Sequence, residues 1–481
     1  MSWTVNEILK ATGGELLCGD QERRFDAVRI DSRSIAAADV FVAIVGDVHD
    51  GHSFINDVLK QGIGGLIVNR QKAKDLTIAE WQAQNVACVA VDDTTRALGD
   101  LAAFHRLRTE ASLIAITGSN GKTTTRQMTA EVIARKFNTL AAVGNYNNQI
   151  GVPLTLLRLT PEHQWAVVEL GTNHPGEIAR LARICSPDIG VITNIGPAHL
   201  EGLGSLDGVM REKGQLLEHL KAGGKAVLNA DDRRLVKIAA QTKQEVLFFG
   251  QSKNARIRAT AVKEKAAGIS FSLDLPQESL CVDLKVFGQF MVTNALAAAA
   301  VGHLLGLSGE DIQAGLEKFK PVRGRMNIFQ TANGIHIIDD TYNANPDSMR
   351  AAITTLKSLQ ANNRSILVAG DMLELGEQTE SLHRQVGASA AAAGINQLWV
   401  TGNFAGAVVA GARDAGMKAE QIFAGSQEKI LIELQKSLKP GDWVLVKGSR
   451  GARMEAVVKG LKEWAGIVKA MSDEDPGGIP A

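Results

Sequence analysis

The segment Thr117-Gly-Ser-Asn-Gly-Lys-Thr-Thr124 stands between an apolar run, Leu113 to Thr117, and a stretch of helix-forming composition, Thr125 to Phe137. A buried strand, a glycine turn and a helix in that order can cradle a polyphosphate, because the N–H groups of the turn and of the first helical turn point at one anion. Gly118 and Gly121 let the backbone bend inward, Ser119 and Asn120 sit between them, Lys122 supplies a cation, and Thr123, followed by Thr124, can offer its hydroxyl to a metal ion. The strict Walker A loop has four residues between its glycines and this one has two, so it is a variant of that loop. A strand that feeds a helix through such a turn commits the surrounding chain to a mostly parallel α/β architecture.

Composition agrees. Glycine accounts for 48 of 481 residues and proline for only 11, which suits many strand-to-helix turns. With 45% hydrophobic and 22% charged residues the chain has the makeup of a globular protein, and its length allows about three domains. Lys+Arg and Asp+Glu number 52 each, so no overall field favours nucleic acid or an anionic membrane as partner. The longest apolar stretch, Ala295 to Leu307, is interrupted by Gly302 and His303, short of the ~20 residues of a spanning helix. The start of the chain lacks a basic, then apolar, leader, and the setting expected is cytoplasmic. Cys18, Cys88, Cys185 and Cys281 show no paired spacing and are expected to be reduced and buried.

Along the chain, short apolar strands (Val40 to Val45, Gly65 to Val68, Ala87 to Val91) alternate with helical patterns and predict a small α/β domain over 1–108. A second domain, 109–320, is expected to hold strands at Leu113 to Thr117, Trp165 to Leu170, Ile189 to Thr193 and Ala226 to Leu228. Antiparallel strands are expected within Ile257 to Phe287, and an Ala-rich helix from Asn294 to Leu307. Within Gly176 to Cys185, Ile178, Leu181, Ala182 and Cys185 fall on one helical face. A third α/β domain, 321–471, is expected to carry strands at Ile335 to Asp339, Ile366 to Ala369, Leu398 to Thr401 and Trp443 to Lys447. The polar end, 472–481, is expected to be disordered.

Several residues stand where a parallel sheet collects ligands, at the carboxyl ends of strands. Glu169 closes the run Trp-Ala-Val-Val-Glu and suits Mg²⁺ as a Walker B acid; the alternative is a helix cap or a surface acid. His199 follows the strand Ile189 to Thr193, as a ligand or as an ordinary structural histidine. Lys213, on a helical stretch, reads by itself as a solvated lysine. Ile338-Asp-Asp-Thr-Tyr-Asn-Ala-Asn-Pro346, preceded by Arg323-Gly-Arg325, ends an apolar strand in acids and amides that either meet a ligand or cap a helix. Polar turns also follow the next strands at Gly370-Asp-Met-Leu-Glu-Leu-Gly376 and Lys447-Gly-Ser-Arg450.

Together with Asp31-Ser-Arg33 and Asp50-Gly-His52, these segments resemble the Mur ligase family, the ATP-dependent amide ligases that build the peptide of bacterial cell-wall precursors. The likeness spans nearly the whole chain and is strongest to the branch that adds D-alanyl-D-alanine. The Asp-Asn-Pro-Arg tetrapeptide of the sister branch that adds meso-diaminopimelate is absent. The resemblance implies a small N-terminal α/β domain that binds the uridine diphosphate end of a UDP-N-acetylmuramoyl-tripeptide. It implies a central P-loop ATPase-type domain, mostly parallel with a small antiparallel sheet, for ATP and Mg²⁺, and a C-terminal Rossmann-like domain for the incoming amine. It implies phosphate contacts for Lys122 and Thr123, a first metal on Glu169 and a second on His199, and a carbamylated Lys213 as a further oxygen ligand. Asn294 and Asn345 would meet adenine or ribose, Arg325 and Asp340 would reach the nucleotide from the third domain, and Ser32, Arg33, Asp50 and His52 would lie near the nucleotide-sugar. A monomer is the expected state.

The reaction so implied activates a carboxylate as an acyl phosphate, which the dipeptide amine then displaces to form an amide. Charge repulsion between carboxylate and γ-phosphoryl is the obstacle that Lys122 and Arg325 would relieve, and closure of the third domain about a hinge near Pro321 would keep water out. Other members of the family, including those like folylpolyglutamate synthase, share the ATP site and differ in the first and third domains. A regulatory P-loop GTPase would need an Asn-Lys-x-Asp reader, and the dipeptide Asn-Lys does not occur.

Overall fold

A computed structural model describes residues 2–46, 49–142, 144–265 and 267–470. The polar end, 472–481, lies outside the described residues.

The chain is α/β throughout and forms three bodies, each around its own main sheet. In the first, five strands run in the order Glu15–Cys18, Ala87–Val91, Gly65–Asn69, Val40–Val42, Val28–Arg29, all parallel except the antiparallel edge strand Glu15–Cys18. Its helix Thr94–Leu107, capped by Asp93, packs against the helices Gly151–Leu156 and Glu177–Cys185 of the central body. Arg106, buried on that helix, donates to the carbonyl of Cys185 and pairs with Asp188, so the first body is anchored by a charge as well as by apolar packing.

Among the described residues the central sheet has nine strands. Ser112–Thr117 lies between Ile189–Ile192 on one side and Trp165–Glu169 on the other, so the strand order reverses beside it. Such a reversal opens a crevice at the carboxyl ends of the strands, where Thr117, Glu169 and Thr193 converge. The run continues in parallel through Lys225–Asn229 and Glu245–Gly250 to Ile257–Lys265, and the antiparallel strands Gly268–Asp274 and Ser279–Leu284 are hydrogen-bonded onto this same edge. Helix Gln289–Leu304 begins five residues before the expected Asn294 and ends at Leu304, the chain turning at Gly306, whose φ is +68°. The helix after the phosphate loop likewise spans Lys122–Ile133 rather than Thr125 to Phe137, because Gly121 at φ +79° caps it.

The third sheet runs Ile422–Ala424, Gln397–Val400, Ser365–Ala369, Trp443–Lys447, His336–Asp340, Asn327–Thr331, Ile467–Ala470. The first five are parallel and Asn327–Thr331 runs antiparallel to both of its neighbours, so the ends of the three central strands lie at one edge. Asp340 and Lys447 are register partners there. One apolar core runs from the central body into the third, joining Met291 and Val292 to Met326, Met349 and Ile353.

The cysteines depart from expectation in one case. Cys18, Cys88 and Cys185 are buried, but Cys281 is exposed, because it sits on the outward face of the edge strand Ser279–Leu284.

Candidate active site

The phosphate loop leaves no room for side chains at its glycines. A methyl group on Gly118 would lie 1.9 Å from Thr193 Oγ1, and one on Gly121 2.2 Å from Asn294 Oδ1. Asn120 fixes the loop to the next strand end: its N–H donates to Asn194 Oδ1 at 2.8 Å and its carbonyl accepts from Thr193 Oγ1 at 2.6 Å. Lys122 folds back to donate to the carbonyl of Gly118 at 2.9 Å. Burial, together with the charge of Arg325, lowers its pKa, while Glu169 acts the other way.

Thr123 and Glu169 meet at the centre. The Thr123 hydroxyl donates to Glu169 Oε2 at 2.7 Å, and Asn147 Nδ2 donates to the other carboxylate oxygen at 2.8 Å. Burial would push the Glu169 carboxyl up, but Lys122, Arg325 and these hydrogen bonds hold it below its ordinary value, so it stays an anion.

The third body closes over this loop. Arg325 Nη2 donates to Thr123 Oγ1 at 2.9 Å, and Asn345 Nδ2 donates to Asn120 Oδ1 at 2.8 Å. Asn345 is also the N-cap of the helix Pro346–Leu359, so the sequence alternatives of ligand and cap coincide in one residue. Asp340 accepts from buried Lys447, which also donates to the carbonyl of Asn343. Tyr342 lies under Arg325, with 4.1 Å between guanidinium carbon and ring centre.

His199 holds a left-handed φ of +56°, and its Nδ1 bonds the carboxylate of Glu374 from the third body. The Glu374 carbonyl also accepts the Glu201 N–H at 3.1 Å, a second tie at the same junction. With an anion on Nδ1, the proton sits there and Nε2 is the atom left with a lone pair. Burial and the nearby Lys122 and Lys213 lower the histidine pKa, against the pull of Glu374.

Lys213 is not the solvated lysine that its helix pattern suggested. It is 1% exposed on the inward face of helix Leu206–Glu218, and burial and Lys122 drive its pKa well down, with Glu212 and Glu169 opposing. Glu212 beside it is engaged by the N–H groups of Gly176 and Ile178.

Ser119 to Thr124, Glu169, His199, Asn294, Arg325, Asp340 and Asn345 line one cavity of about 590 Å³, a size suited to a nucleotide. Lys213 lies behind its wall. The first-body residues are not brought to it. Arg33 pairs with Asp31 on the surface, next to half-buried Ser32. Asp50 caps the turn Gly51–Phe54 and pairs with Lys72 and His52, and His52 Nε2 accepts the Asn69 N–H at 2.9 Å. Lys447, Glu374, Tyr342, Asn147 and Asn194 belong to the site and were not singled out from the sequence, although Lys447, Glu374 and Tyr342 lie in the polar turns that the sequence marks.

Two features fit an anionic nucleotide with a hard cation. Arg325 Nε is buried without a hydrogen-bond partner among the described residues, a donor awaiting an acceptor. Thr123 and Glu169 provide hard oxygen donors beside the phosphate loop. That pattern suits Mg²⁺, which keeps several waters and arrives with phosphates.

The fold and the cleft define a nucleotide-binding α/β protein of the phosphate-loop class, and comparison of the sequence gives its family. Residues 24–106 match the Mur ligase family catalytic domain, 116–302 the Mur ligase middle domain and 324–450 the Mur ligase glutamate ligase domain. The chain belongs to the Mur ligase family. It is similar to the UDP-N-acetylmuramoyl-tripeptide--D-alanyl-D-alanine ligase of Escherichia coli, with 37% identity over 96% of this chain and 99% of that one. Among solved structures it is similar to MurF from Acinetobacter baumannii, with TM-score 0.88 and 36% identity over 96% of this chain and 99% of that one. It is similar also to the MurF ligase from Thermotoga maritima in complex with ADP, with TM-score 0.81 and 28% identity over 91% and 97% of the two chains.

Proposed function

We propose that the chain is an ATP-dependent amide ligase that joins D-alanyl-D-alanine to a UDP-N-acetylmuramoyl-tripeptide, giving the pentapeptide, ADP and phosphate. The observation that carries this reading is the closed cleft in which Arg325 of the third body donates to Thr123 of the phosphate loop. Full-length similarity to ligases of that name supports the choice of substrates.

On this reading residues 1–108 take the uridine diphosphate end, with Ser32, Arg33, Asp50 and His52 nearby, 109–320 take ATP, and 321–471 take the amine. Thr123 and Glu169 would hold Mg²⁺, with His199 and a carbamylated Lys213 toward a second ion. As an ammonium Lys213 is no ligand; as the neutral amine that burial favours, it can combine with CO₂ to present oxygen. When bound, Mg²⁺ neutralises charge on the phosphates. Asn294 and Asn345 stand at the cavity for adenine or ribose.

The chain's own contribution is electrostatic and positional. Lys122 and Arg325 offset the negative charge that builds as carboxylate and phosphoryl group approach. The Asp340–Lys447 pair fixes the strand edge from which Arg325 and Asn345 reach across. Closure about Pro321 would shield an acyl phosphate from hydrolysis. A monomer is the state proposed, and a nucleotide-linked substrate supports a cytoplasmic setting. No helix among the described residues is long and apolar enough to cross a membrane.

The test is ADP release with every combination of ATP, the UDP-linked tripeptide and D-alanyl-D-alanine. Release that needs all three supports the assignment. Release that proceeds equally with glutamate or meso-diaminopimelate in place of the dipeptide would assign the chain to another branch of the family.

A further inference from the structure

The cations at the phosphate end of the cleft have protein partners there: Lys122 the Gly118 carbonyl, Arg325 Nη2 the Thr123 hydroxyl, and Lys447 Asp340 and the Asn343 carbonyl. Arg450, just past the strand Trp443–Lys447, is different. Its side chain is 71% exposed, and its carboxylate neighbour among the described residues, Glu455, is 3.9 Å away, beyond hydrogen-bond length. Its guanidinium carbon stands 5.8 Å from the centre of the Tyr342 ring, the same ring that carries Arg325 at 4.1 Å. Tyr342 lines the cavity and Arg450 lies beside that ring without lining the cavity itself, apart from the phosphate loop. Beside it Leu373 is 45% exposed, and a methyl group on Gly451 would lie 2.7 Å from Leu373 Cδ1. Ser449 holds the two loops together by accepting the Leu373 N–H at 2.9 Å.

We propose that Arg450 binds the terminal carboxylate of the incoming dipeptide, with Leu373 against its methyl groups, so that the two select the amine substrate. This rests on the ligase reading above. An amine attacks only through its lone pair, so the reacting dipeptide has shed its ammonium proton and keeps one charge, the carboxylate at its far end. A cation set apart from the phosphate site can hold that carboxylate without being occupied by nucleotide. A guanidinium presents paired donors that match both carboxylate oxygens. The Tyr342 face orients the cation, and an exposed leucine covers the small side chains of the dipeptide.

The experiment compares D-alanyl-D-alanine with its C-terminal carboxamide in wild type, Arg450→Gln and Arg450→Lys, with the KM for ATP followed in parallel. Wild type is expected to favour the carboxylate in kcat/KM by about 10- to 100-fold, the worth of a charge-assisted hydrogen bond. Arg450→Gln should raise the dipeptide KM by a similar factor, use both dipeptides equally, and leave the ATP KM within about twofold. Arg450→Lys should keep part of the preference. A wild type indifferent to the carboxylate, or an Arg450→Gln variant that keeps the preference, overturns the assignment of Arg450 and leaves the ligase reading intact. A wild type without dipeptide-dependent ADP release overturns both.

Discussion

Arg325 and Thr123 are 202 positions apart in sequence, yet the guanidinium of one donates to the hydroxyl of the other at 2.9 Å, and that hydroxyl in turn donates to Glu169. The chain Arg325–Thr123–Glu169 thus couples closure of the third body to the polar centre of the cleft. Arg325→Ala should lower the rate of tripeptide-dependent ADP release by about 10²- to 10³-fold, the usual effect of removing one donor aimed at developing charge. Arg325→Lys, which keeps charge but not the fork, should fall between. Stopped-time ADP assays decide it, and a near wild-type rate for the alanine variant removes Arg325 from the mechanism.

Gly121 and Gly223 have nearly the same φ, +79° and +77°, in different surroundings. A methyl group on Gly121 would strike Asn294 Oδ1, and one on Gly223 would meet nothing within 4 Å. Both alanine variants carry about 1 kcal/mol of left-handed strain, but only Gly121→Ala displaces the phosphate cradle. Calorimetry should show loss of nucleotide affinity in Gly121→Ala and ordinary affinity in Gly223→Ala. Equal behaviour would mean that backbone strain, rather than the shape of the loop, governs binding.

The Asp340–Lys447 pair is largely buried, with side-chain exposures of 13% and 3%. Removing one partner strands the other charge, so Lys447→Met or Asp340→Asn should each cost about 3 kcal/mol in urea unfolding. The double variant should cost less than the two single costs combined, since no isolated charge remains. Strict additivity would show that the two do not act as a pair.

What was legible in the sequence is what is local. The loop Thr117 to Thr124, the acid closing Trp165–Glu169 and the amides after His336–Asp340 announce themselves because strand, turn and helix lie within a few residues of one another. Glu374 and Lys447 did not, since their partners lie 175 and 107 positions away and only the packing of two sheets brings them together. Asn345 was ambiguous for a sound reason, as it caps a helix and crosses to Asn120 with the same side chain. Lys213 was misleading: a lysine among Arg211, Glu212 and Gln215 has the pattern of a wet helix face, and its burial is set by what the helix Leu206–Glu218 packs against.

That burial has a measurable sign. The folded state holds the Lys213 pKa well below its ordinary 10.5, mainly by desolvation and then by repulsion from Lys122. Between the lowered value and 10.5 the unfolded chain binds a proton that the folded chain does not, so this group makes stability rise with pH across that window. Lys213→Met keeps the volume and removes the titration. In buffer stripped of CO₂ it should melt at a higher temperature than wild type near neutral pH, with the gap narrowing as pH rises toward 10.5. The same variant should lose ligase activity, and Lys213→Ala should recover part of it with added short carboxylates, as a missing carbamate predicts. Melting temperatures that track wild type at every pH would return Lys213 to an ordinary solvated charge, and ¹³C NMR of wild type in labelled bicarbonate without a carbamate signal would remove its oxygen-ligand role.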